Sequence, residues 1–342
     1  MMRKNLLKLS GAAVALAVLL AGCAGSPAAQ SASSAQPAST PESSAQSAPA
    51  SSGGQPAKIT LGTYNGTCEA PLYAGIENGT FKKYGFDVSL VNINANTLKE
   101  GLASGKIQGA QISAGMFKAI EQGLDIKLTN GIHTGCIEGV VPKGSPIKSV
   151  KDLKGKTIGI DSIGGVPQVL LSIDLGKAGI DPKAGVQWRV YPQAQLEQAM
   201  EKGEIDAFAA WDPYGALAVN SGKAVKIFGN SDKDTYCCYV GVSGAYAQKN
   251  PELAEKLTDA WAEAGDWVEQ HPTEAAQMAV DKKYISSGDE IANSKLLGDY
   301  KFVSDKKKAK TDFTSTLQAM KTQGILDPAT DVDKMVQSVF IG

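Results

Sequence analysis

A late stretch of the sequence decides the fold: residues 236–242 read Tyr236-Cys237-Cys238-Tyr239-Val240-Gly241-Val242. This β-type run follows a long alternation of strand and helix patterns, and only helical patterns come after it. The first of these helices is predicted at residues 251–270, where Leu253 and Leu257 recur at helical spacing. A chain of two simple domains would finish its second sheet and stop. We therefore predict that the chain returns, through residues 236–242, to a lobe that it left earlier.

The alternation before this stretch predicts an α/β fold. Strands are predicted at residues 58–61, 86–93, 107–112, 126–132, 157–160, 186–191, 205–210 and 225–228. Helical patterns separate them, which is typical of parallel sheets flanked by helices. We expect residues 58–134 and 241–342 to form one lobe and residues 135–240 to form the other. Two crossings near residues 134–141 and 236–242 would join the lobes.

The N-terminus has the pattern of a processing signal. Basic residues precede an apolar run at residues 11–21, which ends at Leu20-Ala21-Gly22-Cys23. A transmembrane anchor is the alternative, but the run is shorter than the ~20 residues that a spanning helix needs. We therefore predict a signal peptide at residues 1–22 and a lipidated, palmitate-bearing lipoprotein cysteine at Cys23.

Residues 23–57 are predicted to form a flexible tether. Between residues 24 and 56 the sequence is almost entirely Ser, Ala, Pro, Gln and Gly, and Glu42 is its one charged residue. Such a segment buries too little apolar surface to offset its ordering entropy. A lipid at Cys23 and a loose tether would hold the body at the extracytoplasmic face of the cell membrane.

The composition of the chain excludes several classes of function. Lys and Arg number 34 against 35 Asp and Glu, so no charge bias indicates a nucleic-acid partner. The sequence has two histidines and no nucleophile motif such as GxSxG, so we expect neither an enzyme nor a cofactor. The body is expected to be a monomer.

Ordered short motifs resemble a known family over nearly the whole body. They include Ala70-Pro71-Leu72-Tyr73-Ala74-Gly75, Tyr84-Gly85-Phe86-Asp87-Val88, Val150-Lys151-Asp152-Leu153-Lys154-Gly155-Lys156-Thr157-Ile158, Ile205-Asp206-Ala207-Phe208, Ala210-Trp211-Asp212-Pro213-Tyr214 and His271-Pro272-Thr273-Glu274-Ala275-Ala276. The set is similar to the periplasmic binding proteins for nitrate, alkanesulfonates, taurine and the pyrimidine precursor of thiamine. The resemblance implies a two-lobe periplasmic-binding-protein clamp (type II). It further implies capture of a small organic solute by lobe closure, with an ABC permease and its ATPase as partners.

Candidate ligand contacts follow from the edge of each predicted sheet. In open α/β sheets, ligands bind beyond the carboxyl ends of the strands, where loops and helix N-termini offer N–H groups. That rule selects loops after four strands, and the resemblance supports ligand contact by the loop at residues 162–165. The candidates are Tyr64, Cys68, Glu69, Ser113, Cys136, Ser162, Gly164, Gly165, Trp211, Asp212, Tyr214 and Cys238. An ordinary helix cap at Ser162 and Asp212, and core packing of the aromatic residues, are the alternatives.

The charges of these loops bear on the class of ligand. The loops contain Glu69, Asp161 and Asp212 but no Arg, whereas a site for nitrate or a sulfonate normally offers positive charge or many N–H donors. A neutral or cationic heteroaromatic solute fits at least as well.

The four cysteines of the body fall near the predicted cleft and crossings, and three hypotheses are open for them. The first is a structural disulfide or plain burial, with Cys68 or Cys136 as the partner of the adjacent Cys237 and Cys238. The second is a metal or metal-complex site formed by His133, Cys136, Cys237 and Cys238. The third is an enzyme like the thiamine-pyrimidine synthases, whose cysteine cluster the pair at 237–238 faintly resembles; a lipobox argues against it.

Overall fold

Two five-stranded sheets organise the protein, which we describe from a computed structural model. The structure describes residues 55–230, 235–285 and 290–341. The predicted signal peptide, Cys23 and nearly all of the predicted tether lie outside these residues. Within the described residues, no helix is both long and apolar enough to cross a membrane.

The order of the strands in the two sheets shows that the chain returns to the first sheet. They are β1 (Ala57–Thr63), β2 (Phe86–Asn92), β3 (Gly109–Ser113), β4 (Ile126–Thr134), β5 (Ile137–Pro142), β6 (Thr157–Ile160), β7 (Gln187–Val190), β8 (Ala207–Trp211), β9 (Ala224–Gly229) and β10 (Tyr236–Ser243). The first sheet has the order β2-β1-β3-β10-β4, and the second has the order β7-β6-β8-β5-β9. Because β10 lies between β3 and β4, the chain does return to its first sheet, as predicted.

Both sheets are mixed, which corrects the prediction of parallel sheets. In the first sheet, β10 runs antiparallel to β3 and β4. In the second sheet, β5 runs antiparallel to β8 and β9. Each of these strands enters its sheet directly from a crossing and therefore runs against the strands that βαβ units placed there. An alternation pattern gives the period of a strand but not its direction.

The second crossing also differs from the predicted boundary. The prediction gave residues up to 240 to the second lobe, but all of β10, from Tyr236 onward, is paired within the first sheet. The first crossing is short, since β4 ends at Thr134 and β5 begins at Ile137.

Helices cover the sheets. They are α1 (Ala70–Glu77), α2 (Thr80–Lys83), α3 (Ala95–Ala103), α4 (Phe117–Glu121), α5 (Val166–Lys177), α6 (Gln193–Glu201), α7 (Tyr214–Asn220), α8 (Gly244–Lys249), α9 (Pro251–Gln270), α10 (Pro272–Asp281), α11 (Glu290–Asp299), α12 (Lys306–Thr322) and α13 (Val332–Val339). Helix α9 has the predicted bounds and packs on α1 and α2, and its buried Trp261 meets Phe81 of α2 edge to face. Helices α12 and α13 pack on β4. We call the first sheet and its helices the first lobe, and the second sheet with α5, α6 and α7 the second lobe.

Candidate functional site

The loop after β1 is held in shape by one buried carboxylate. Glu69 is 1% exposed, and its carboxylate accepts hydrogen bonds from the backbone N–H of Tyr64 and Gly66 at 3.0 and 3.1 Å. The hydroxyls of Thr63 and Tyr73 also donate to it, at 3.0 and 2.9 Å. Burial raises the pKa of Glu69, although these four donors act in the opposite direction. Glu69 thus fixes the loop from beneath.

In the second lobe, the end of β8 is tied to the loop after β6. The indole Nε1 of Trp211 donates to Asp161 Oδ2 at 3.2 Å, and its backbone N–H donates to Gln193 Oε1 at 2.9 Å. Burial raises the pKa of Asp161, while the bonds from Trp211 and Ser162 lower it. These bonds fix the orientation of the Trp211 ring.

The two lobes meet at these loops. The rings of Tyr64 and Trp211 stack with centroids 6.3 Å apart and planes 21° from parallel. At another contact between the lobes, a Cβ on Gly115 would lie 3.1 Å from the backbone nitrogen of Val166 and 3.5 Å from the carbonyl oxygen of Gly164. Glycine at position 115 therefore lets the loop after β3 touch the start of α5. The structure is that of a closed cleft.

A second buried carboxylate, that of Asp212, also bridges the lobes. Asp212 is 6% exposed, follows β8, and accepts a short hydrogen bond from the hydroxyl of Tyr300 of the first lobe. Its other oxygen, Oδ1, has no hydrogen-bond partner among the described residues. Burial, reinforced by the nearby charge of Glu138, raises the pKa of Asp212 to about 7. Asp212 can therefore change its charge near neutral pH.

The cysteines gather where the two crossings run side by side. Cys136, in the first crossing, and Cys237, in β10, are joined by a disulfide. Cys68 and Cys238 are free and buried, and the Sγ atoms of Cys237 and Cys238 lie 3.7 Å apart. A hydrogen bond that the Cys68 thiol makes to Cys238, together with burial, raises the pKa of Cys68 well above its usual value. The disulfide between Cys136 and Cys237 is one of the pairings that the sequence left open.

Polar side chains of the first lobe surround the cysteines. His133 is 0% exposed, and its ring stacks on that of Tyr300 with centroids 5.2 Å apart. Gln111 Nε2 lies 3.2 Å from Cys68 Sγ and 3.4 Å from His133 Nε2. Gln111 thus links Cys68 to His133, and Tyr300 links His133 to Asp212.

The other predicted residues take different positions. Ser113 is buried and stands opposite Cys238 in the β3–β10 ladder. Ser162 and Gly164 are exposed, and Gly165 is half-buried at the start of α5. The structure does not bring Tyr214 to Tyr64 and Trp211; its ring packs against the apolar core of the second lobe.

Several residues that build the site were missed in the sequence. Tyr300 reaches Asp212 across 88 positions, and Gln111 reaches Cys68 across 43. No local pattern marks such long-range contacts. The sequence predicts ligand contact for Glu69, whereas the structure shows its carboxylate bonded to its own loop. The three-residue spacing from Gly66 to Glu69 is typical of an acidic side chain that accepts from a turn N–H, and it could have indicated this structural role.

Comparisons with known proteins agree with this architecture. A sequence profile of the NMT1-like family matches residues 52–281. The chain is 26% identical over 334 residues to a nitrate/nitrite binding protein of Nostoc sp., covering 87% of this chain and 74% of that protein. It is 27% identical over 230 residues to a nitrate import ATP-binding protein of Synechococcus elongatus, covering 61% of this chain and 35% of that protein.

Solved structures show the same fold. The periplasmic nitrate-binding protein of Synechocystis matches with a TM-score of 0.68 and 19% identity, over 84% of this chain and 86% of that one. The aliphatic sulphonate binding protein of Escherichia coli matches with a TM-score of 0.67 and 18% identity, over 82% and 91%. Together with the relatives in sequence, they confirm the predicted two-lobe fold and the predicted resemblance to nitrate and sulfonate binding proteins. Because the family profile covers more than half of its residues, the chain belongs to the NMT1-like family.

Proposed function

We propose that the protein is the solute-binding component of an ABC importer and captures a small organic solute by closure of its two lobes. The stacked pair of Tyr64 and Trp211 is the observation that supports this most directly. The two rings come from opposite lobes, and each lies at the carboxyl end of a strand, where α/β folds bind ligands. Binding rather than catalysis is the role that the names of the Nostoc, Synechocystis and Escherichia coli proteins support.

The surroundings of this pair favour a planar solute that is neutral or cationic. A ring held between two aromatic faces needs about 7 Å between their planes, so the hinge has to open and close again around it. The loops that carry Tyr64 and Trp211 and the loop after β6 contain the carboxyl groups of Glu69, Asp212 and Asp161. A heteroaromatic solute like the thiamine pyrimidine satisfies both conditions better than nitrate or a sulfonate, which are the other members of the proposed class.

The remaining parts of the proposal concern location and partners. A lipid on Cys23 would hold the protein at the extracytoplasmic face of the membrane, where a permease and its ATPase take over the solute. The match to an ATP-binding protein of a nitrate import system supports an ATPase partner. We propose that the protein acts as a monomer.

A thermal-shift screen with pyrimidines, sulfonates, nitrate and amines tests the proposal. A true ligand at one hundred times its Kd stabilises the closed form by about 2.7 kcal/mol, which raises the Tm. Calorimetry then compares Trp211→Ala with Tyr214→Ala, an aromatic residue three positions away that packs in the second-lobe core. We expect at least a tenfold loss of affinity for the first variant and little for the second. Equal affinities in the two variants, or the absence of any ligand, would contradict the proposal, and turnover of the ligand by the isolated protein would favour an enzyme.

A further inference from the structure

We propose that Cys68, His133, Cys136 and Cys238 form a site for a thiophilic d10 cation, Zn²⁺ or Cu⁺, that exists only while the Cys136–Cys237 disulfide is open. The site shares no residue with the aromatic pair that carries the proposed function. The two proposals can therefore fail independently.

The positions of the donor atoms support this site. The ligand atoms of Cys68, His133 and Cys136 all lie within 4.8 Å of one another, and so do those of Cys136, Cys237 and Cys238. Zinc–sulfur bonds of about 2.3 Å in a tetrahedral site place the ligand atoms about 3.7 Å apart. Small side-chain movements would therefore bring them around one ion. Because Cys136 belongs to both groups, it joins them into a single donor set.

His133 is arranged as a metal-binding histidine is. Its Nδ1 lies 3.3 Å from the carbonyl oxygen of Thr134, so a proton on Nδ1 leaves the lone pair of Nε2 facing the Gln111 amide, 3.4 Å away, which an ion at Nε2 would displace. Ligating histidines typically donate their second ring N–H to such a carbonyl, which fixes the tautomer. Stacking on Tyr300 holds the ring in place.

Gln111 is a second, independent indication of a bound ion. The side chain is 3% exposed, its Nε2 donates to Cys68 Sγ at 3.2 Å, and its Oε1 has no partner among the described residues. A buried amide with an unpaired oxygen destabilises the fold, so a glutamine at this position calls for a functional reason. Hydrogen bonding to a metal-bound thiolate is a common task of such outer side chains.

The backbone of the first crossing also favours a functional constraint. Cys136 has φ 94°, directly after Gly135 with φ 98°. A residue with a Cβ in this region is strained, and such strain concentrates at functional sites. The side chain of Asn230 secures the crossing, because it donates to the carbonyl of Gly135 at 2.8 Å and accepts from the N–H of Ile137 at 2.9 Å.

The charges around the donors select a soft cation. Two buried carboxyl groups neighbour the cluster: Glu69 follows Cys68 in the chain, and the backbone N–H of Asp212 donates to the carbonyl of Cys136 at 3.0 Å. Thiolate and imidazole donors suit Zn²⁺ and Cu⁺, whereas Mg²⁺ and Ca²⁺ require oxygen donors. The ion would displace the thiol protons as it binds.

The disulfide and the ion exclude each other because both use Cys136. Opening the bond consumes two electrons and two protons from a dithiol, which becomes a disulfide while Cys136 and Cys237 become thiols. The ion then replaces the protons on Cys68, Cys136 and Cys238. Either form ties the two crossings together, one by a covalent bond and the other by coordination.

Metal uptake by the full chain tests this proposal, in a Cys23→Ala background that removes the thiol outside the cluster. Protein reduced with a phosphine, and freed of it, is titrated with Zn²⁺, Cu⁺ and Mg²⁺ against chromophoric chelators. We expect one equivalent of Zn²⁺ or Cu⁺ in reduced protein, none in the disulfide form, and no Mg²⁺ in either. Absence of uptake after reduction, or equal uptake by the disulfide form, would overturn the proposal.

Two variants that both lack the disulfide give a matched comparison. Cys237→Ser leaves all four proposed ligands in place and is expected to bind the ion without prior reduction. Cys136→Ser removes one ligand and is expected to bind at least tenfold more weakly. Equal affinity of the two variants would refute the site. Should either variant fail to fold, Co²⁺ titration of the reduced parent decides the question: a thiolate-to-cobalt charge-transfer band must appear and must be lost when Zn²⁺ is added, and a spectrum without that band would count against the site.

Discussion

Two buried carboxylates lie at the closed cleft, and their surroundings differ. Glu69 in the first lobe accepts from four donors, two backbone N–H groups and two hydroxyls. Asp212 in the second lobe accepts from the Tyr300 hydroxyl and lies near Glu138, while its Oδ1 has no partner among the described residues. The first carboxylate therefore belongs to the framework of a loop. The second joins the two lobes through Tyr300, and its protonation depends on pH.

This difference explains how a clamp can be both preformed and mobile. A loop fixed by its own carboxylate keeps Tyr64 in one position whether or not the lobes are closed. A carboxylate whose partner, Tyr300, comes from the other lobe contributes only when the lobes are together. The first region supplies preorganisation, and the second responds to closure.

Replacement of Glu69 should have the largest effect. In Glu69→Ala the four donors lose their acceptor, and each buried unsatisfied group costs about 1–3 kcal/mol, in part recovered by water entry. We expect the free energy of unfolding, measured in urea, to fall by about 4 kcal/mol. The exposed Glu100→Ala is the control and should change stability by less than about 0.5 kcal/mol. Similar losses in both variants would show that the Glu69 network is not what holds the loop.

Replacement of Asp212 should change how stability depends on pH. Its pKa is raised to about 7 in the folded protein, against about 3.9 when unfolded, so the folded state holds the extra proton between these values. Stability from this group is therefore greatest at low pH and is lost as pH rises through about 7. Between pH 5 and pH 8 we expect Asp212→Asn to gain about 2–3 kcal/mol relative to wild type, as measured by urea unfolding at each pH.

Tyr300→Phe gives the opposite test of the same carboxylate. It removes the hydroxyl that donates to Asp212, so the ionised form loses a partner and stability should fall more at pH 8 than at pH 5. The other charged or titratable groups that act on Asp212 are Glu138, Lys226 and His133, and they are unchanged in both variants. If the free energies of unfolding of wild type and Asp212→Asn change in parallel between pH 5 and pH 8, the Asp212 carboxyl does not titrate in this range.

The fold could be predicted where periodicity alone decides it. The strand at residues 157–160 and the helix at residues 251–270 have the predicted bounds, because their apolar residues repeat without interruption. The antiparallel entry of β5 and β10 was missed because strand direction depends on pairing with distant strands. The sequence order still showed that the chain returns to its first lobe.

The candidate site could be predicted only in part. Strand ends correctly indicated Tyr64 and Trp211 as neighbours, because the carboxyl ends of the strands in both lobes face one cleft. The Tyr300 hydroxyl and the Gln111 amide were missed, since each reaches its partner across a long stretch of sequence. The structural role of Glu69 depends on how a loop folds back onto its own carboxylate, and composition does not record that.

The smallest effect on stability is expected at Ser162, in the loop after β6. This loop follows a strand as the Glu69 loop does, but its Ser162 side chain is exposed. This side chain hydrogen-bonds to Asp161, so Ser162→Ala should lower the free energy of unfolding by less than about 0.5 kcal/mol. Gly165→Ala is the contrasting variant, because its Cβ would lie 2.4 Å from Ser162 Oγ and 3.0 Å from Asp161 Oδ1. If ligand contact is the role of this loop, Ser162→Ala should weaken binding of a solute found in the screen while the Tm of the free protein stays unchanged. A large fall in Tm would instead place Ser162 with Glu69 among the residues that hold a loop in shape.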